Sequence, residues 1–356
     1  MLNSSPVICL VGTTATGKTD LALKLAEWWL KDSPLAAELM GVDILSADSR
    51  QIYQGLEITS GADIPPDFNL IKLASEARPK QTEPLDPSVK IAQRTHWKKN
   101  FAVDEYESKP INLWGVACLA PNLSWSAGQF RAFGQSIISG ATRNHRALIV
   151  VGGTGLYQQI LWQKDWQPGV APDMSLRLDL EEATVSDLQG LLKTRSPERL
   201  SALNPSDIAN PRRLIRQLEL AEKDQLKTSI PAPEKTQDEA QIVLTFGLQR
   251  DVASLPELIK ARVLKRIDQG ARAEINLLDL TTAQPNVLTT LGVKELLLLE
   301  NNQAKLDEVI SLWTTHELQY AKRQITWWKK RPEITWFDTT ASNLISEVIK
   351  KIQINL

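Results

Sequence analysis

The chain has 356 residues, 42% of them hydrophobic, so it can bury a sizeable core and form a main domain with a second lobe or a large insertion. Its net charge of -1 excludes a globally basic nucleic-acid binder, so contacts with DNA or RNA must come from local basic patches. No apolar run approaches the roughly 20 residues of a transmembrane helix, and Cys9 and Cys118 form no metal-binding pattern. We therefore expect a cytoplasmic protein.

The first part of the chain alternates between strand and helix patterns. "VICLVG" predicts a strand, Thr19 to Leu30 a helix, and "VDILSAD" a second strand. Residues 65–110 are rich in Pro, Lys and Glu with little periodicity, which predicts a long insertion loop. A helix capped by Ser124 or Ser126 then leads to the buried strand "ALIVVGG", which we expect to lie beside the first strand.

The second part of the chain is mostly helical in pattern. Short helices punctuated by proline follow from about Met174 and predict an inserted helical lobe. A polar linker then precedes the strand "IVLTFGL", three helical stretches, the longest from about Ala304 to Arg331, and a final strand "EITWF". We predict an α/β core with a parallel sheet over residues 1–167, a helical insertion domain over 168–230, and the mostly helical remainder of the core over 231–356.

The segment "GTTATGKT" lies between the first predicted strand and helix and has the G-x-x-x-x-G-K-T pattern of a phosphate-binding loop. Its glycines let successive N–H groups face phosphate oxygens, Lys18 adds a positive charge, and the Thr19 hydroxyl suits Mg²⁺, the predicted cofactor. The pattern favours a P-loop NTPase-like core. The predicted diphosphate-binding residues are Gly12, Thr13, Thr14, Ala15, Thr16, Gly17, Lys18 and Thr19. Such a loop contacts phosphates alone, so it does not identify the rest of the ligand.

A carboxylate follows the second predicted strand. Asp48 in "SADSRQIYQG" should lie beside the phosphate site, since open α/β sheets gather their loops there. It can accept a proton from a nucleophile that attacks next to the diphosphate, or it can cap the next turn through the backbone. "ALIVVGGTGLY" ends in glycines, without the Mg²⁺-binding Asp of NTP hydrolases. This difference argues against an ATPase motor and leaves a small-molecule kinase or a transferase that uses another diphosphate.

Several motifs together resemble the tRNA dimethylallyltransferase (tRNA isopentenyltransferase) family. They occur in the family's order from near the first residue to about Asp338: "GTTATGKT", "ADSRQIYQGLEI", "LIVVGGTGLY", "NPRRLIRQLE", "ARVLKRIDQGARAEI", "LGVKE" and "YAKRQITWWKKRPEITWF". The resemblance implies that the chain transfers the dimethylallyl group of dimethylallyl diphosphate to tRNA. The acceptor would be the exocyclic amine of the adenosine 3′ of the anticodon.

The resemblance also implies three catalytic residues. Asp48 would bind the adenine amine and take its proton, Thr14 would help to arrange Asp48 and the diphosphate, and Arg262 would contact the diphosphate. The planar guanidinium of Arg262 suits two phosphate oxygens. The alternatives are an ordinary loop threonine and an arginine on a solvated helix face.

The acceptor adenine must leave its stack to reach a carbon above the loop, which requires a channel. By resemblance, "GGTGLY" lines this channel, although a plain strand-to-helix turn has the same pattern. The predicted tRNA contacts are Asp48, Ser49, Arg50, Gln51, Ile52, Tyr53, Thr154, Arg212, Arg213 and Arg216. A charged helix face is the alternative for the last three arginines. The basic tail with Trp327 and Trp328 can stack on RNA, but we expect at least one of these side chains in the core.

Four positions depart from the family pattern. Asp63 replaces a lysine, Leu258 and Leu318 replace arginines, and Val293 replaces a tyrosine. Two other functions remain open: a nucleoside or small-molecule kinase with ATP in the loop, and a non-catalytic RNA-binding module. We expect a monomer because a bound tRNA would occupy much of the surface.

Overall fold

The computed structural model describes residues 6–65, 68–72, 90–99, 106–163, 172–225 and 243–355. The chain separates into two compact units, one formed by Met1–Gln163 together with Asp238–Leu356 and the other by Lys164–Gln237. None of the helices in the described ranges is long and apolar enough to span a membrane. Cys9 and Cys118 are buried and free.

The first unit contains a sheet that has eight strands among the described residues, in the order β3-β4-β5-β2-β6-β1-β7-β8. The strands are β1 Val7–Gly12, β2 Gly41–Ser46, β3 Asn69–Lys72, β4 Lys90–Lys99, β5 Tyr106–Trp114, β6 Arg146–Val151, β7 Val243–Gln249 and β8 Thr335–Asp338. The six strands from β5 to β8 in this order are parallel, whereas β4 pairs with both β3 and β5 in antiparallel fashion. The predicted α/β class with a parallel sheet is confirmed.

The burial of the central strands agrees with their apolar sequences. Every residue of β1, β2 and β6 is buried, as expected for parallel strands that are covered on both faces and read as continuous apolar runs. β1 pairs with β6 in a register that sets Cys9 opposite Val150. The prediction that "ALIVVGG" lies beside the first strand is therefore confirmed.

Helices complete both units. Their bounds are α1 Lys18–Lys31, α2 Ala127–Arg143, α3 Gly155–Trp162, α4 Met174–Asp179, α5 Val185–Arg195, α6 Pro197–Ser201, α7 Pro205–Ile208, α8 Pro211–Gln225, α9 Leu255–Asp268, α10 Ala271–Leu277, α11 Pro285–Leu288, α12 Val293–Glu300, α13 Leu306–Trp328 and α14 Leu344–Asn355. Ser126 caps α2 as predicted, through a reciprocal pair of bonds with Gln129. Trp29 of α1 and Ile352 of α14 belong to one apolar cluster with Ile8 and Ile44 of the sheet.

The prediction of a loop over residues 65–110 is wrong where β3, β4 and the start of β5 form. These strands extend the sheet at one edge. Their sequences contain charged residues among the apolar ones, so they lack the regular alternation that predicts a strand. The rest of the predicted loop, residues 66–67, 73–89 and 100–105, lies outside the described residues.

The second unit contains α4 to α8. Its apolar centre is formed by Leu188 and Leu192 of α5 with Leu214 and Leu218 of α8, all of them fully buried. These leucines recur at spacings of four residues, which puts each pair on one helix face. The predicted helical insertion over 168–230 falls within the sequence range of this unit.

Candidate active site

The phosphate-binding loop connects β1 to α1, as its pattern predicts. Gly12 has φ 138°, and a Cβ there would lie 2.3 Å from the carbonyl oxygen of Leu248 on β7, so only glycine fits. Gly17, immediately before α1, has φ 74°, and Ala15 also adopts a left-handed backbone at φ 62°. Alternation of such conformations turns successive N–H groups toward a common point, which forms an anion-binding nest at a helix N-terminus.

Lys18 lies over this loop. Its ammonium group donates a hydrogen bond to the carbonyl oxygen of Thr13, and it lies 3.5 Å from the hydroxyl of Thr16. Burial and the positive charge of Arg262 lower the pKa of Lys18 to about 7, against the opposing influence of the Asp48 carboxylate. A bound anion would reverse this shift, because it favours the charged form of the amine.

Arg262 on α9 reaches the loop from a part of the chain about 250 residues away. Its Nη1 donates to the Thr14 hydroxyl at 2.7 Å, and its Nη2 lies 2.6 Å from a carboxylate oxygen of Asp63 and 3.2 Å from the Gly61 carbonyl oxygen. The backbone N–H of Thr14 in turn donates to the side chain of Gln324 on α13 at 2.9 Å. The loop is therefore held by α9 and α13, and the contact of Arg262 with a diphosphate stays a prediction.

Asp48 directly follows β2 and lines the same cavity. Its Oδ1 accepts a hydrogen bond of 2.9 Å from the backbone N–H of Arg50, so the turn-capping alternative is also realised. Burial raises the pKa of Asp48, although the Arg50 N–H and the charge of Lys18 oppose the shift. One carboxylate thus caps its turn and presents a strengthened base to the cavity.

The cavity has a volume of about 1260 Å³, which exceeds the roughly 300–1,000 Å³ of most ligand pockets. One part of its wall is the phosphate loop from Thr14 to Thr19, and another consists of the glycines after β6 and Thr154. Apolar side chains also line it, among them Leu21, Leu23, Ile64, Leu258, Leu291, Leu344 and Ile345. The cavity therefore has room for a phosphate-bearing ligand and a second group of the size of a nucleobase.

A buried ion pair supports the cavity wall below Arg262. Arg266, one turn further along α9, lies 2.7 Å from Glu317 of α13, and both side chains are less than 10% exposed. Burial lowers the pKa of Arg266, as does the neighbouring charge of Arg262, while Glu317 raises it. The guanidinium also lies 5.7 Å from the centre of the Trp313 ring. These contacts connect α9 to α13 at the level of the phosphate loop.

A family model described as IPP transferase matches residues 102–331, which is more than half of the chain. The chain belongs to this family. Curated relatives named tRNA dimethylallyltransferase include one from Picosynechococcus sp., which is 28% identical over 352 residues, with 98% of this chain and 99% of the relative covered. Another, from Bacillus subtilis, is 26% identical over 340 residues, with 94% and 91% covered.

Solved structures of the family share the fold of this member. The tRNA isopentenylpyrophosphate transferase of Staphylococcus epidermidis matches with a TM-score of 0.57 at 22% identity, covering 99% of this chain and 100% of that one. A eukaryotic dimethylallyltransferase acting on tRNA matches with a TM-score of 0.63 at 19% identity, covering 98% and 78%. At these identities the likeness concerns the fold alone, and the fold agrees with the family assignment.

The six residues of the "DSRQIY" motif, which the family resemblance assigns to tRNA, divide into two groups. Asp48, Ser49, Arg50 and Gln51 line the cavity. Ile52 and Tyr53 are 2% and 0% exposed and pack in the core, and their assignment to tRNA contact stays a prediction. The sequence of the motif does not show which of its residues line the cavity and which are buried, because a turn directs neighbouring side chains to different surroundings.

The three arginines of α8 belong to the second unit. Arg216 lies 2.7 Å from the buried carboxylate of Glu219, and Arg213 lies 3.7 Å from Asp207. Arg212 is exposed. The structure therefore gives Arg216 a structural partner, whereas the assignment of the trio to tRNA stays a prediction.

The expectation that at least one of the two tryptophans at the end of α13 lies in the core is confirmed. Trp328 is 4% exposed and packs with Val11 and Ile334. Trp327 is 37% exposed and lines a groove of about 440 Å³ whose other residues are Lys322, Arg323, Thr326, Lys330 and Arg331. One tryptophan therefore belongs to the core and the other to a basic surface.

Sequence reasoning missed the cavity residues of α13, among them Gln324 and Tyr320. Gln324 holds the Thr14 N–H, and Tyr320 lines the cavity. Burial and the negative charge of Asp48 raise the pKa of Tyr320, so its hydroxyl stays protonated. Both residues occur in "YAKRQ", four positions apart and hence on one helix face, so the motif contained the signal.

Proposed function

We propose that this member of the family transfers the dimethylallyl group of dimethylallyl diphosphate to the exocyclic amine of the adenosine 3′ of the anticodon in tRNA, and releases diphosphate. The observation that carries the proposal is the presence in one cavity of the phosphate loop, the cations Lys18 and Arg262, and the carboxylate of Asp48. The relatives' name, tRNA dimethylallyltransferase, supports it and does not favour a kinase.

The reaction breaks the bond between the allylic carbon and the diphosphate oxygen, and the electron pair leaves with the diphosphate. Loop amides, Lys18 and Arg262 stabilise the negative charge that develops there, which is the largest contribution a site of this kind makes. The bound donor raises the pKa of Lys18, which is about 7 in the free enzyme, so the amine takes up a proton from solvent. Thr14 fixes the orientation of the Arg262 guanidinium through their hydrogen bond of 2.7 Å.

The acceptor amine forms the new bond to carbon and gives its proton to Asp48. A carboxylate with a raised pKa is a stronger base than one on the surface, and burial raises the pKa of Asp48. The adenine must be extruded from its stack to reach this carboxylate. We assign the tRNA-facing wall of the cavity to Ser49, Arg50, Gln51 and Thr154, which lie around Asp48 or line the cavity with it.

Mg²⁺ fits the oxygen donors of this site. No group of three or more His, Cys, Asp or Glu side chains suited to a metal occurs in the described ranges, and Mg²⁺ typically takes only one or two protein ligands in addition to phosphate oxygens and water. The Thr19 hydroxyl, which lines the cavity next to Lys18, would hold the ion together with the diphosphate. When bound, the ion neutralises part of the charge on the departing group.

A labelling experiment tests the proposal. Purified protein is incubated with Mg²⁺ and bulk tRNA in the presence of either labelled dimethylallyl diphosphate or labelled ATP. We expect label from the prenyl donor in tRNA and none from ATP. Transfer of ATP label to a small molecule would support a kinase, and retention of RNA without transfer would support a binding module. We further propose that the enzyme acts in the cytoplasm, with which the two buried free cysteines agree, and that it is a monomer because a bound tRNA would occupy much of the surface.

A further inference from the structure

We propose that Asp63 competes with the donor diphosphate for Arg262 and thereby sets how tightly the enzyme holds the donor and the released pyrophosphate. The inference rests on the proposed function. One ion pair carries it: the Asp63 carboxylate lies 2.6 Å from Nη2 of Arg262. The same guanidinium donates through Nη1 to Thr14 of the phosphate loop, so the internal carboxylate is bound to the arginine that reaches the anion site.

The two terminal nitrogens of Arg262 both face protein acceptors. Nη1 is bound to Thr14, and Nη2 is shared between Asp63 and the Gly61 carbonyl oxygen at 3.2 Å. A phosphate oxygen that approaches Nη2 must therefore replace the carboxylate. The side chain of Asp63 is 53% exposed, so the displaced carboxylate can turn into solvent instead of being buried without a partner.

The turn that carries Asp63 packs against Arg262 and Arg266. Asp63 has φ 49°, a left-handed conformation that few residues with side chains adopt. The Gly61 carbonyl oxygen accepts hydrogen bonds from Gln51 at 2.8 Å and from Arg262. A Cβ at Gly61 would lie 2.0 Å from a guanidinium nitrogen of Arg266. The turn therefore lies directly on both arginines and directs the carboxylate at Arg262.

The charge of Asp63 acts on the other cations of the site as well. Burial and the charge of Arg262 lower the pKa of Lys18, and Asp63 is among the groups that oppose this shift. Burial likewise lowers the pKa of Arg266, and the charge of Asp63 again opposes this shift. The carboxylate thus supplies in the free enzyme part of the negative charge that the diphosphate supplies in the complex. Its removal leaves the cations without that charge, so anion binding should become stronger.

The test compares pyrophosphate binding by the wild-type protein and by Asp63→Asn. Asparagine keeps the size of the side chain and tolerates the left-handed backbone, so the fold is retained. Titration calorimetry with inorganic pyrophosphate and Mg²⁺ should give a Kd about tenfold lower for the variant, the scale of one charge-assisted hydrogen bond. In steady-state assays the KM for dimethylallyl diphosphate should fall, while the KM for tRNA stays unchanged.

Asp20→Asn is the matched control. Asp20 lines the same cavity at the start of α1, so the control removes the same charge without touching Arg262, and we expect a change in Kd of less than about twofold, the scale of an exposed charge. A wild-type Kd for pyrophosphate in Asp63→Asn, or an equal decrease of this Kd in Asp20→Asn, would overturn the proposed role of Asp63 but not the proposed function. A wild-type protein that binds no pyrophosphate would overturn the diphosphate site and the proposed function with it.

Discussion

Binding of the donor should take up one proton at Lys18 when the pH is above about 7. In the free enzyme, burial and the charge of Arg262 lower the pKa of Lys18 to about 7. The ammonium donates to the carbonyl oxygen of Thr13 in its own loop, so it lies where a phosphate would bind. A bound diphosphate favours the charged amine and raises its pKa. Higher pH therefore opposes binding.

The magnitude of the effect follows from this pKa. At about pH 8, one unit above it, only about one tenth of the free enzyme carries the charge, and its restoration costs about 1.4 kcal/mol. The Kd for dimethylallyl diphosphate should therefore rise about tenfold per pH unit above 7, until the pKa of the bound form is reached. The donor itself contributes little to this slope, since a phosphate group loses its last proton near about pH 6.

Titration calorimetry measures the proton uptake. The titration is done at pH 8 in two buffers with different ionisation enthalpies. If each bound donor causes the uptake of about one proton, the two observed heats should differ by about the difference between those ionisation enthalpies. Lys18→Met is the control: it should bind weakly, with no proton uptake and a Kd that does not follow pH. A flat Kd for the wild type between pH 7.5 and 9, or an undiminished proton uptake in Lys18→Met, would refute the reasoning.

Three further outcomes are expected. Asp48→Asn should slow prenyl transfer by about 10²–10⁴-fold, because it removes the base, while filter binding gives an unchanged tRNA affinity. Glu317→Leu should lower the free energy of unfolding by about 3–5 kcal/mol in denaturant titrations, because it leaves the charge of Arg266 buried without its partner. Gly12→Ala should destabilise the protein by about 1–3 kcal/mol and lower its Tm, since the new Cβ would lie 2.3 Å from the Leu248 carbonyl oxygen.

Each of these outcomes has a control or a result that would contradict it. Wild-type transfer by Asp48→Asn would remove Asp48 from the chemistry. The double variant Arg266→Met with Glu317→Leu should recover most of the lost stability, and no recovery would contradict the ion-pair explanation. Gly140→Ala, in α2 with open space around the new Cβ, should be neutral or stabilising by about 0.5–1 kcal/mol. An equal loss in Gly12→Ala and Gly140→Ala would contradict the steric explanation.

Local pattern predicted the parts of the fold that depend on neighbours in sequence. The loop from Gly12 to Thr19 needs only a strand, a glycine-rich turn and a helix, and all three are contiguous. β1, β2 and β6 are buried on both faces and therefore read as apolar runs. β3 and β4 were missed because their sequences mix charged and apolar residues without a clear period-two pattern.

Residues of the candidate site were predicted where they belong to one contiguous motif. The contacts between segments that are distant in sequence were missed. The hydrogen bond from Thr14 to Gln324 joins residues 310 positions apart, and the ion pair of Arg262 with Asp63 joins residues 199 apart. Single-sequence pattern contains no record of such pairs. The burial of Tyr53 was missed for a related reason, since burial depends on the surrounding fold and not on the motif.

The most direct test of the central claim is a crystal structure with Mg²⁺, an anticodon stem-loop RNA and a donor analogue whose bridging oxygen is replaced by sulfur. We expect the diphosphate within hydrogen-bond distance of Lys18 Nζ and the loop amides, and the allylic carbon facing an extruded adenine whose amine donates to Asp48. A diphosphate bound away from the loop, or an adenine amine that faces away from Asp48, would contradict the account.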